Sequence, residues 1–307
     1  MVQGAREDEG GGASPRAAAG LRMVAAGRTH VGLRRRRNED AWVIAPDLSL
    51  LLVADGMGGR ADGDLASHMA TTCVAAEVAV HEHRQDPASP RLRQLSADEA
   101  LLADAFQAAN ERIHDEGMAR PDLRRGTMGT TLVAARLSAD AQTMTLANVG
   151  DSRAYLVRDG RLRLITRDHS LAEEIAAQAP WLPEAIAAAP RNVLTRALGL
   201  RAGVTVDVFA EPVCAGDVFV LCTDGLWGHF DEDELARIVA DATDLDAACG
   251  QLVARANEPG GLDNITVVLA RMERTEPRHD SGVSLRTLRR DDREDRETLP
   301  DGLDWDE

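Results

Sequence analysis

Three aspartates stand where short apolar runs of this chain begin or end. Asp55 and Asp224 each close such a run and precede a glycine, and Asp263 lies just before the run Ile-Thr-Val-Val. Short apolar runs bounded by turn residues predict buried β-strands, so these acids are predicted at strand ends. Carboxylates held there by a rigid sheet are the oxygen ligands that a hard divalent cation needs. Together with the acids of segments 38–40 and 150–153, they favour a two-metal site.

Composition excludes several classes of protein. The 307 residues, 44% of them apolar, suffice for the core of one large domain or two small ones. A net charge of −16 argues against nucleic acid as a partner, because that binding depends on neutralising phosphates. No apolar stretch is long enough to span a membrane, and the N-terminus lacks an apolar signal-peptide segment. We therefore expect a cytoplasmic protein with no membrane attachment.

Lysine is absent, and all 35 basic residues are arginine. This excludes the P-loop lysine, the kinase strand lysine and Schiff-base chemistry, so any phosphate would be bound by arginine and metal. The four cysteines form no Cys-x-x-Cys pair, and three lie in apolar surroundings. That pattern predicts reduced thiols rather than disulfides or zinc ligands.

Apolar periodicity predicts strands and helices between residues 21 and 273, as one domain. Strands are predicted at 21–26, 41–45, 50–54, 130–137, 143–147, 153–157, 162–165, 204–210, 217–222 and 265–271, and helices at 62–83, 98–118, 231–240 and 245–257. A partly helical flap is predicted near 171–190, a disordered leader at 1–20 and a charged disordered tail at 274–307. This element order favours an α+β fold of stacked antiparallel sheets with helices outside.

Four consecutive arginines precede the acids Glu39 and Asp40. A charge run of this kind is usually a solvated face, and three of the four need be no more than that. A single guanidinium facing the metals would bind a phosphate through two hydrogen bonds. Metals and arginine together would stabilise the charge of phosphoryl transfer to water, and the metals would also generate the nucleophile.

Eight segments, in order along the chain, carry a resemblance to a known family. They are R-x-x-N-E-D at 35–40, V-A-D-G-M-G-G at 53–59, G-T-T-L at 129–132, N-V-G-D-S-R at 148–153, T-R-D-H-S at 166–170, N-V-L-T-R-A-L-G at 192–199, C-T-D-G-L at 222–226 and D-N-I-T-V at 263–267. In these segments the chain resembles the metal-dependent protein serine/threonine phosphatases (PPM, type 2C) in their bacterial form. The resemblance implies a four-layer α-β-β-α sandwich, with two antiparallel β-sheets flanked by helices.

The resemblance also implies a role for each acid. Asp55 would bridge two metal ions, with the Gly56 carbonyl completing one coordination sphere. Asp224 and Asp263 would hold the other metal. Glu39 would act directly or through metal-bound water.

Three further residues receive roles from the resemblance. Asp40 would support the metal ligands from behind, and Arg35 would bind the phosphate. Asp151 would form a weaker third metal site together with Asp224. Arg35 would thus join Asp55, Asp224 and Asp263 as a catalytic residue.

The implied reaction is hydrolysis of phosphoserine and phosphothreonine esters in proteins. The nucleophile would be a metal-bridging hydroxide, with two Mn²⁺ or Mg²⁺ ions as cofactors and no covalent phosphoenzyme. The implied partners are phosphorylated proteins, namely bacterial Ser/Thr kinases and their substrates, and we expect a monomer.

Two positions depart from the family pattern. Met57 stands where eukaryotic members have a histidine that is often treated as the general acid, and bacterial members share this methionine. His169 is a candidate proton donor, although a structural role is favoured for it. Gly228 stands where the family usually has an acid four residues after Asp224, which weakens the expectation of a third metal ion.

Three alternatives stay open on the sequence alone. A cysteine phosphatase needs Cys-x5-Arg, and Cys249 and Arg255 have that spacing, but the segment between them is typical of a helix interior. A non-catalytic scaffold with the phosphatase fold would have lost metal-binding acids, and this chain keeps them. A phosphatase dedicated to one phosphorylated anti-sigma antagonist cannot be distinguished from a general partner of Ser/Thr kinases.

Overall fold

The computed structural model of this chain describes residues 20–58, 62–84, 95–120, 128–182, 189–190 and 193–275. The predicted leader lies outside these residues except for Gly20, and the predicted tail except for Arg274 and Thr275. Two β-sheets stack face to face, and helices cover both outer faces. The predicted α+β sandwich of four layers is confirmed.

Each sheet is built from antiparallel ladders. Sheet I contains, in spatial order, β1 (Leu21–His30), β11 (Ile265–Arg274), β10 (Val218–Cys222), β7 (Arg153–Arg158) and β8 (Arg161–Leu164). Sheet II contains, in spatial order, β2 (Asp40–Ala45), β3 (Leu50–Met57), β5 (Leu132–Leu137), β6 (Thr143–Val149) and β9 (Asp207–Pro212), and the short β4 (Gly129–Thr130) pairs with β3.

The helices of the described residues are α1 (Asp62–Arg84), α2 (Ala97–Ala119), α3 (Leu171–Gln178), α4 (Asp224–Trp227), α5 (Glu232–Ala240) and α6 (Leu245–Asn257). A capping box fixes the start of α2, because Ser96 Oγ accepts the N–H of Glu99 while the Glu99 carboxylate accepts the N–H of Ser96. α3 opens the predicted flap, of which residues 183–188 and 191–192 lie outside the described range. No helix in the described ranges is both long and apolar enough to cross a bilayer.

Alternation along the central strands divides the apolar residues among three cores. In β3, Leu50 and Leu52 pack against α1 and α2, whereas Leu51 and Val53 face sheet I. β10 follows the same rule, with Phe219 facing sheet II and its neighbours facing α5 and α6. Both faces of these strands are buried, which explains why they appear in the sequence as continuous apolar runs.

Several strand boundaries differ from the prediction, and at two of them a hydrogen bond between distant residues accounts for the difference. The strand predicted at 130–137 is interrupted at Thr131, whose Oγ1 accepts the N–H of Asp55 (2.9 Å) instead of leaving the hydroxyl to solvent. The strand predicted at 204–210 begins only at Asp207. The N–H of Val204 instead donates to Gln107 Oε1 of α2 (3.4 Å). In both places a backbone N–H donates to a side-chain oxygen instead of to a carbonyl of a sheet partner.

The cysteines match the prediction of reduced thiols. All four are unpaired; Cys73, Cys222 and Cys249 are buried and Cys214 is exposed. Cys214 lies just before β10, at the opposite end of that strand from Asp224.

Shortening Phe219 tests the contact between the sheets. We expect Phe219→Ala to lower the free energy of unfolding by about 3–5 kcal/mol, because this side chain is fully buried between the two sheets. The matched control is Leu164→Ala at a position that is 37% exposed, where we expect a loss below about 1 kcal/mol. Urea unfolding of the two variants measures both values, and equal losses would contradict the assignment of Phe219 to the central core.

Candidate metal centre

Antiparallel pairing brings the predicted acids to one end of the sandwich. Asp40 of β2 lies directly opposite Asp55 of β3. Because β10 runs antiparallel to β7 and β11, its last residue, Cys222, pairs with Arg153 and Val267, near the first residues of both partner strands. The turns that carry Asp151, Asp224 and Asp263 therefore lie beside one another.

The backbone of Asp55 is fixed by two threonines of the β4–β5 segment. The N–H of Asp55 donates to Thr131 Oγ1 (2.9 Å), and its carbonyl accepts from Thr130 Oγ1 (2.8 Å). Burial raises the pKa of the Asp55 carboxyl well above its usual range, and the negative charges of Asp40 and Asp224 raise it further. The fold thus holds a carboxylate where its own charge is poorly tolerated.

Asp224 opens the short helix α4 and faces the other acids. Burial raises the pKa of its carboxyl, as does the charge of Asp263, against the effect of a hydrogen bond shared with Asp55. Asp224 Oδ1 is buried and finds no hydrogen-bond partner among the described residues. The turn beneath it is tightly packed, since a Cβ added at Gly225 would lie 1.9 Å from the Asn264 carbonyl oxygen.

Glu39 and Gly56 lie against the start of α1. The N–H of Gly56 donates to the Glu39 carbonyl (3.1 Å), and a Cβ at Gly56 would lie 2.1 Å from the Gly63 carbonyl oxygen. A Cβ at Gly63 would in turn lie 3.0 Å from Glu39 Cδ. Burial raises the pKa of Glu39, with the charge of Arg35 acting in the opposite direction. Only glycine allows this close approach of two backbone segments beside the Glu39 carboxyl.

Asp40 is held beneath the centre by two threonines. Its Oδ2 accepts hydrogen bonds from Thr266 Oγ1 (2.6 Å) and Thr223 Oγ1 (3.0 Å), while Oδ1 is buried without a partner among the described residues. Burial raises the pKa of Asp40, although these two hydrogen bonds lower it. The Asp40 side chain therefore connects the ends of β10 and β11 to β2.

Asp151 occupies the turn between β6 and β7. The preceding Gly150 has φ of +110°, and a Cβ there would lie 2.6 Å from Thr131 Cβ. Burial and the charge of Asp224 raise the pKa of Asp151 to about 7. Gly228 follows the last residue of α4 and supplies no carboxylate on that side.

Arg35 is already paired in this structure. Its Nη2 donates to Asp263 Oδ2 (2.7 Å), and the Arg35 side chain is 49% exposed. Arg35 is therefore paired with a candidate metal ligand rather than free in solvent. The pairing arises because the turn at 33–34 donates two backbone N–H bonds to the Gly261 carbonyl, which brings the arginine run against the turn of Asp263.

The donor set fits divalent cations even though the side chains are not yet closed around one. Among the described residues, no group of three or more His, Cys, Asp or Glu side chains is arranged closely enough to enclose an ion. The acids nevertheless raise one another's pKa, and Asp224 Oδ1 is buried without a donor. A divalent cation would relieve both conditions, and carboxylate oxygens are the ligands that Mg²⁺ and Mn²⁺ prefer.

The structure shows positioning residues to which the sequence pattern assigned no role. Thr131, Thr223 and Thr266 all donate or accept hydrogen bonds beside the acids. Asn264 Oδ1 accepts the N–H of Glu39 (2.8 Å), and its Nδ2 donates to the Arg37 carbonyl (2.9 Å). These residues lie within the eight segments that carry the family resemblance. A hydroxyl or amide side chain beside an apolar strand run is the sequence signal that could have identified them.

His169 supports the turn that carries Asp151. Its Nδ1 accepts the N–H of Gly150 (3.0 Å), and its Nε2 lies 3.1 Å from Asp207 Oδ2. Accepting at Nδ1 places the proton on Nε2, from which it is donated to Asp207. Burial lowers the pKa of His169, which is only 3% exposed. The geometry favours the structural role for this histidine.

The cysteine-phosphatase alternative finds no support in the structure. Cys249 lies inside α6, fully buried, and burial raises the pKa of its thiol to about 12. A nucleophilic cysteine needs the thiolate and a free approach to it.

Comparison with known proteins identifies the family. The family model described as protein phosphatase 2C matches residues 26–257. The serine/threonine phosphatase stp of Listeria monocytogenes is 36% identical over 265 residues, which cover 84% of this chain and 100% of that protein. The chain belongs to the protein phosphatase 2C family.

Solved structures agree with this assignment. The catalytic domain of the serine/threonine protein phosphatase PstP, in complex with two manganese ions, superposes with a TM-score of 0.68 at 30% identity, covering 82% of this chain and 99% of that one. PppA of Pseudomonas aeruginosa superposes with a TM-score of 0.67 at 33% identity, covering 82% and 98%. The predicted enzyme class, a metal-dependent protein serine/threonine phosphatase, is confirmed.

The two roles considered for His169 predict different leaving-group effects. We expect His169→Gln to lower kcat by less than about tenfold, and equally for p-nitrophenyl phosphate and phenyl phosphate. Loss of a general acid costs about 10²–10⁴-fold and falls mainly on the poorer leaving group, phenolate. Asp207→Asn, which alters the partner of Nε2, should resemble His169→Gln. A loss confined to phenyl phosphate would assign proton donation to His169.

Proposed function

We propose that this phosphatase hydrolyses phosphoserine and phosphothreonine esters of proteins with two divalent cations, Mn²⁺ or Mg²⁺, held by Asp55, Asp224 and Asp263. The observation that carries the proposal is the mutual interaction of these three buried or half-buried carboxyls, together with the unpartnered Asp224 Oδ1. Burying several carboxyls close together lowers the stability of the folded protein, and such groups are typical of a functional site. The two manganese ions named for the PstP structure support the same ion count.

We assign the ligands by position. Asp55 would be shared by both cations, and the Gly56 carbonyl would contribute to one of them. Asp224 and Asp263 would hold the second cation, and Glu39 would contribute directly or through water. When bound, the cations supply the Lewis acidity that allows water to attack phosphorus at neutral pH. The protein's own contribution is to fix these carboxylates before substrate arrives.

Asp40 positions the ligands rather than binding a cation in this proposal. The two threonine hydroxyls that donate to its Oδ2 favour its ionised form, against the burial that raises its pKa to about 7. We also assign Asp151 to a weaker third cation, together with Asp224. The absence of a carboxylate at Gly228 is the reason for expecting lower affinity there.

Arg35 binds the substrate phosphate in this proposal. A guanidinium presents paired N–H donors that match two phosphate oxygens. Its present bond to Asp263 joins two partly exposed side chains and is worth about 1 kcal/mol or less. A phosphate dianion can therefore draw Arg35 away at little cost, while Asp263 turns to a cation.

We further propose that the enzyme acts in the cytoplasm, as a monomer, against the products of bacterial Ser/Thr kinases. The unpaired cysteines agree with a reducing compartment. The flap that begins with α3 lies beside Asp168 and His169 and is where we place substrate selection. A scaffold without activity is disfavoured, because every proposed metal-binding acid is present.

Neutralising single acids tests the cation site. We expect Asp55→Asn and Asp224→Asn each to lower p-nitrophenyl phosphate hydrolysis by at least about 100-fold, and EDTA to abolish wild-type activity. Mn²⁺ should raise the Tm of the wild type and not of the variants, since binding to the folded state is what stabilises it. Asp159→Asn is the matched control, because Asp159 also precedes a glycine but lies in the hairpin turn between β7 and β8. Activity without metal, or full activity in either site variant, would refute the assignment.

Removing Arg35 tests phosphate binding. We expect Arg35→Ala to lower kcat/KM by an amount that corresponds to about 1.5–3 kcal/mol of lost binding free energy, because a charge-assisted hydrogen bond to phosphate is lost. Arg28→Ala is the control, because Arg28 makes a similarly exposed ion pair with Asp246 at the same distance, 2.7 Å, away from the acids. The unfolding free energy of both variants should change by about 1 kcal/mol or less. Equal kcat/KM for the two variants would remove Arg35 from the site.

A further inference from the structure

The three arginines beside Arg35 form a cationic surface that the catalytic proposal does not use. Arg34, Arg36 and Arg37 are all exposed. Within the described residues none of the three takes part in an ion pair, whereas most other arginines there do. In a chain of net charge −16, three consecutive or near-consecutive arginines without an ion pair thus lie together at the edge of the candidate metal centre.

The backbone under these arginines is firmly held. The N–H groups of Leu33 and Arg34 both donate to the Gly261 carbonyl (2.7 and 3.1 Å). Asn264 Nδ2 donates to the carbonyls of Val31 and Arg37 (both 2.9 Å). Gly32 has φ of +80°, and a Cβ there would lie 2.2 Å from the Asp263 carbonyl oxygen. The loop is thus anchored to the turn of a proposed metal ligand, so its charges keep a defined place beside the centre.

Two exposed leucines lie on the same pair of turns. Leu33 is 63% exposed and Leu262 is 61% exposed. Leu33 lies over the neighbouring turn, since a Cβ on Gly261 would come 2.8 Å from Leu33 Cγ. We call Leu33, Arg34, Arg36, Arg37 and Leu262 the arginine–leucine lip.

The lip adjoins the proposed catalytic residues without being part of them. Arg35 lies between Arg34 and Arg36 and bonds to Asp263. Arg37 stands two residues before Glu39, and the same Asn264 side chain binds the Arg37 carbonyl and the Glu39 N–H. Its charge opposes the burial that raises the pKa of Glu39. A substrate whose phosphate reached Arg35 would bring its neighbouring residues close to the loop that carries Arg34 and Arg36.

We infer that the arginine–leucine lip selects phosphoprotein segments with additional anionic side chains next to the phosphorylated residue, either carboxylates or a second phosphate. This inference rests on the proposed function and names the substrate class of that site. Charge complementarity supplies the argument, because exposed guanidiniums attract anions while the net charge of the rest of the chain repels them. The leucines add apolar contact for an aliphatic residue within the same segment.

Peptide pairs that differ only in flanking charge test the inference. One phosphothreonine peptide carries glutamates around the phosphorylated residue, a second carries glutamines there, and a third carries one further phosphothreonine. For the wild type we expect kcat/KM to be about 3- to 10-fold higher with the first and third peptides than with the second. This preference should vanish near 1 M salt, where the Debye length is about 3 Å.

The variant Arg34→Gln/Arg36→Gln should lose the preference while hydrolysing p-nitrophenyl phosphate at the wild-type rate. Arg37 is left intact because of its effect on Glu39. The matched control is Arg161→Gln/Arg237→Gln. It makes the same change in net charge at two exposed arginines that, in the described part of the chain, also lack ion pairs, one at the start of β8 and one in α5. The control should keep the preference.

The outcomes separate this inference from the proposed function. Normal p-nitrophenyl phosphate hydrolysis without a peptide preference, or a preference that survives in the double variant, would overturn the inference and leave the phosphatase intact. Loss of p-nitrophenyl phosphate hydrolysis in wild-type protein would instead contradict the proposed function. The last experiment measures sedimentation of the wild type and the Arg34→Gln/Arg36→Gln variant with vesicles that contain phosphatidylserine. If only the wild type sediments and it shows no peptide preference, the lip binds a lipid surface and the inference is overturned.

Discussion

Buried negative charge at one end of two stacked sheets is the constraint on which this structure depends. Burial raises the pKa values of Asp40, Asp55, Asp151 and Asp224, and the charge of at least one other acid raises each of them further. Water cannot stabilise these groups, and the few hydrogen bonds present do so only in part. Bound divalent cations would supply the remaining stabilisation, because carboxylate oxygens are the ligands that Mg²⁺ and Mn²⁺ prefer.

The surrounding fold keeps the acids in place against their repulsion. Antiparallel registers align the ends of β7, β10 and β11 in sheet I and those of β2 and β3 in sheet II, and both faces of the central strands are buried. Threonine hydroxyls then tie those ends together beneath the carboxylates. The apolar layers make the sandwich rigid, and the threonine hydrogen bonds fix the positions of the carboxylates on it. Activity and stability are consequently carried by different residues of the same strands.

Local pattern was sufficient to predict most of the fold. Helix α6 has the predicted bounds, Leu245–Asn257, because its apolar period and its Asp244 cap are both local. The break at Thr131 and the late start of β9 were not predictable, since each depends on a hydrogen bond between residues distant in sequence. The same limit applies at the site. The positions of the acids could be predicted because they lie at strand ends. The bond between Arg35 and Asp263 joins residues that are 228 apart in sequence, and no local pattern predicts such a contact.

The distribution of thiols has a practical consequence. Of four cysteines, only Cys214 is exposed, and it precedes β10 at the end of the sandwich opposite the acids. A maleimide reagent should therefore attach one fluorophore or spin label per native molecule, without any engineered substitution. Such a label would lie away from the turns that carry the acids, and it would give spectroscopy a fixed reference point from which distances to those turns can be measured.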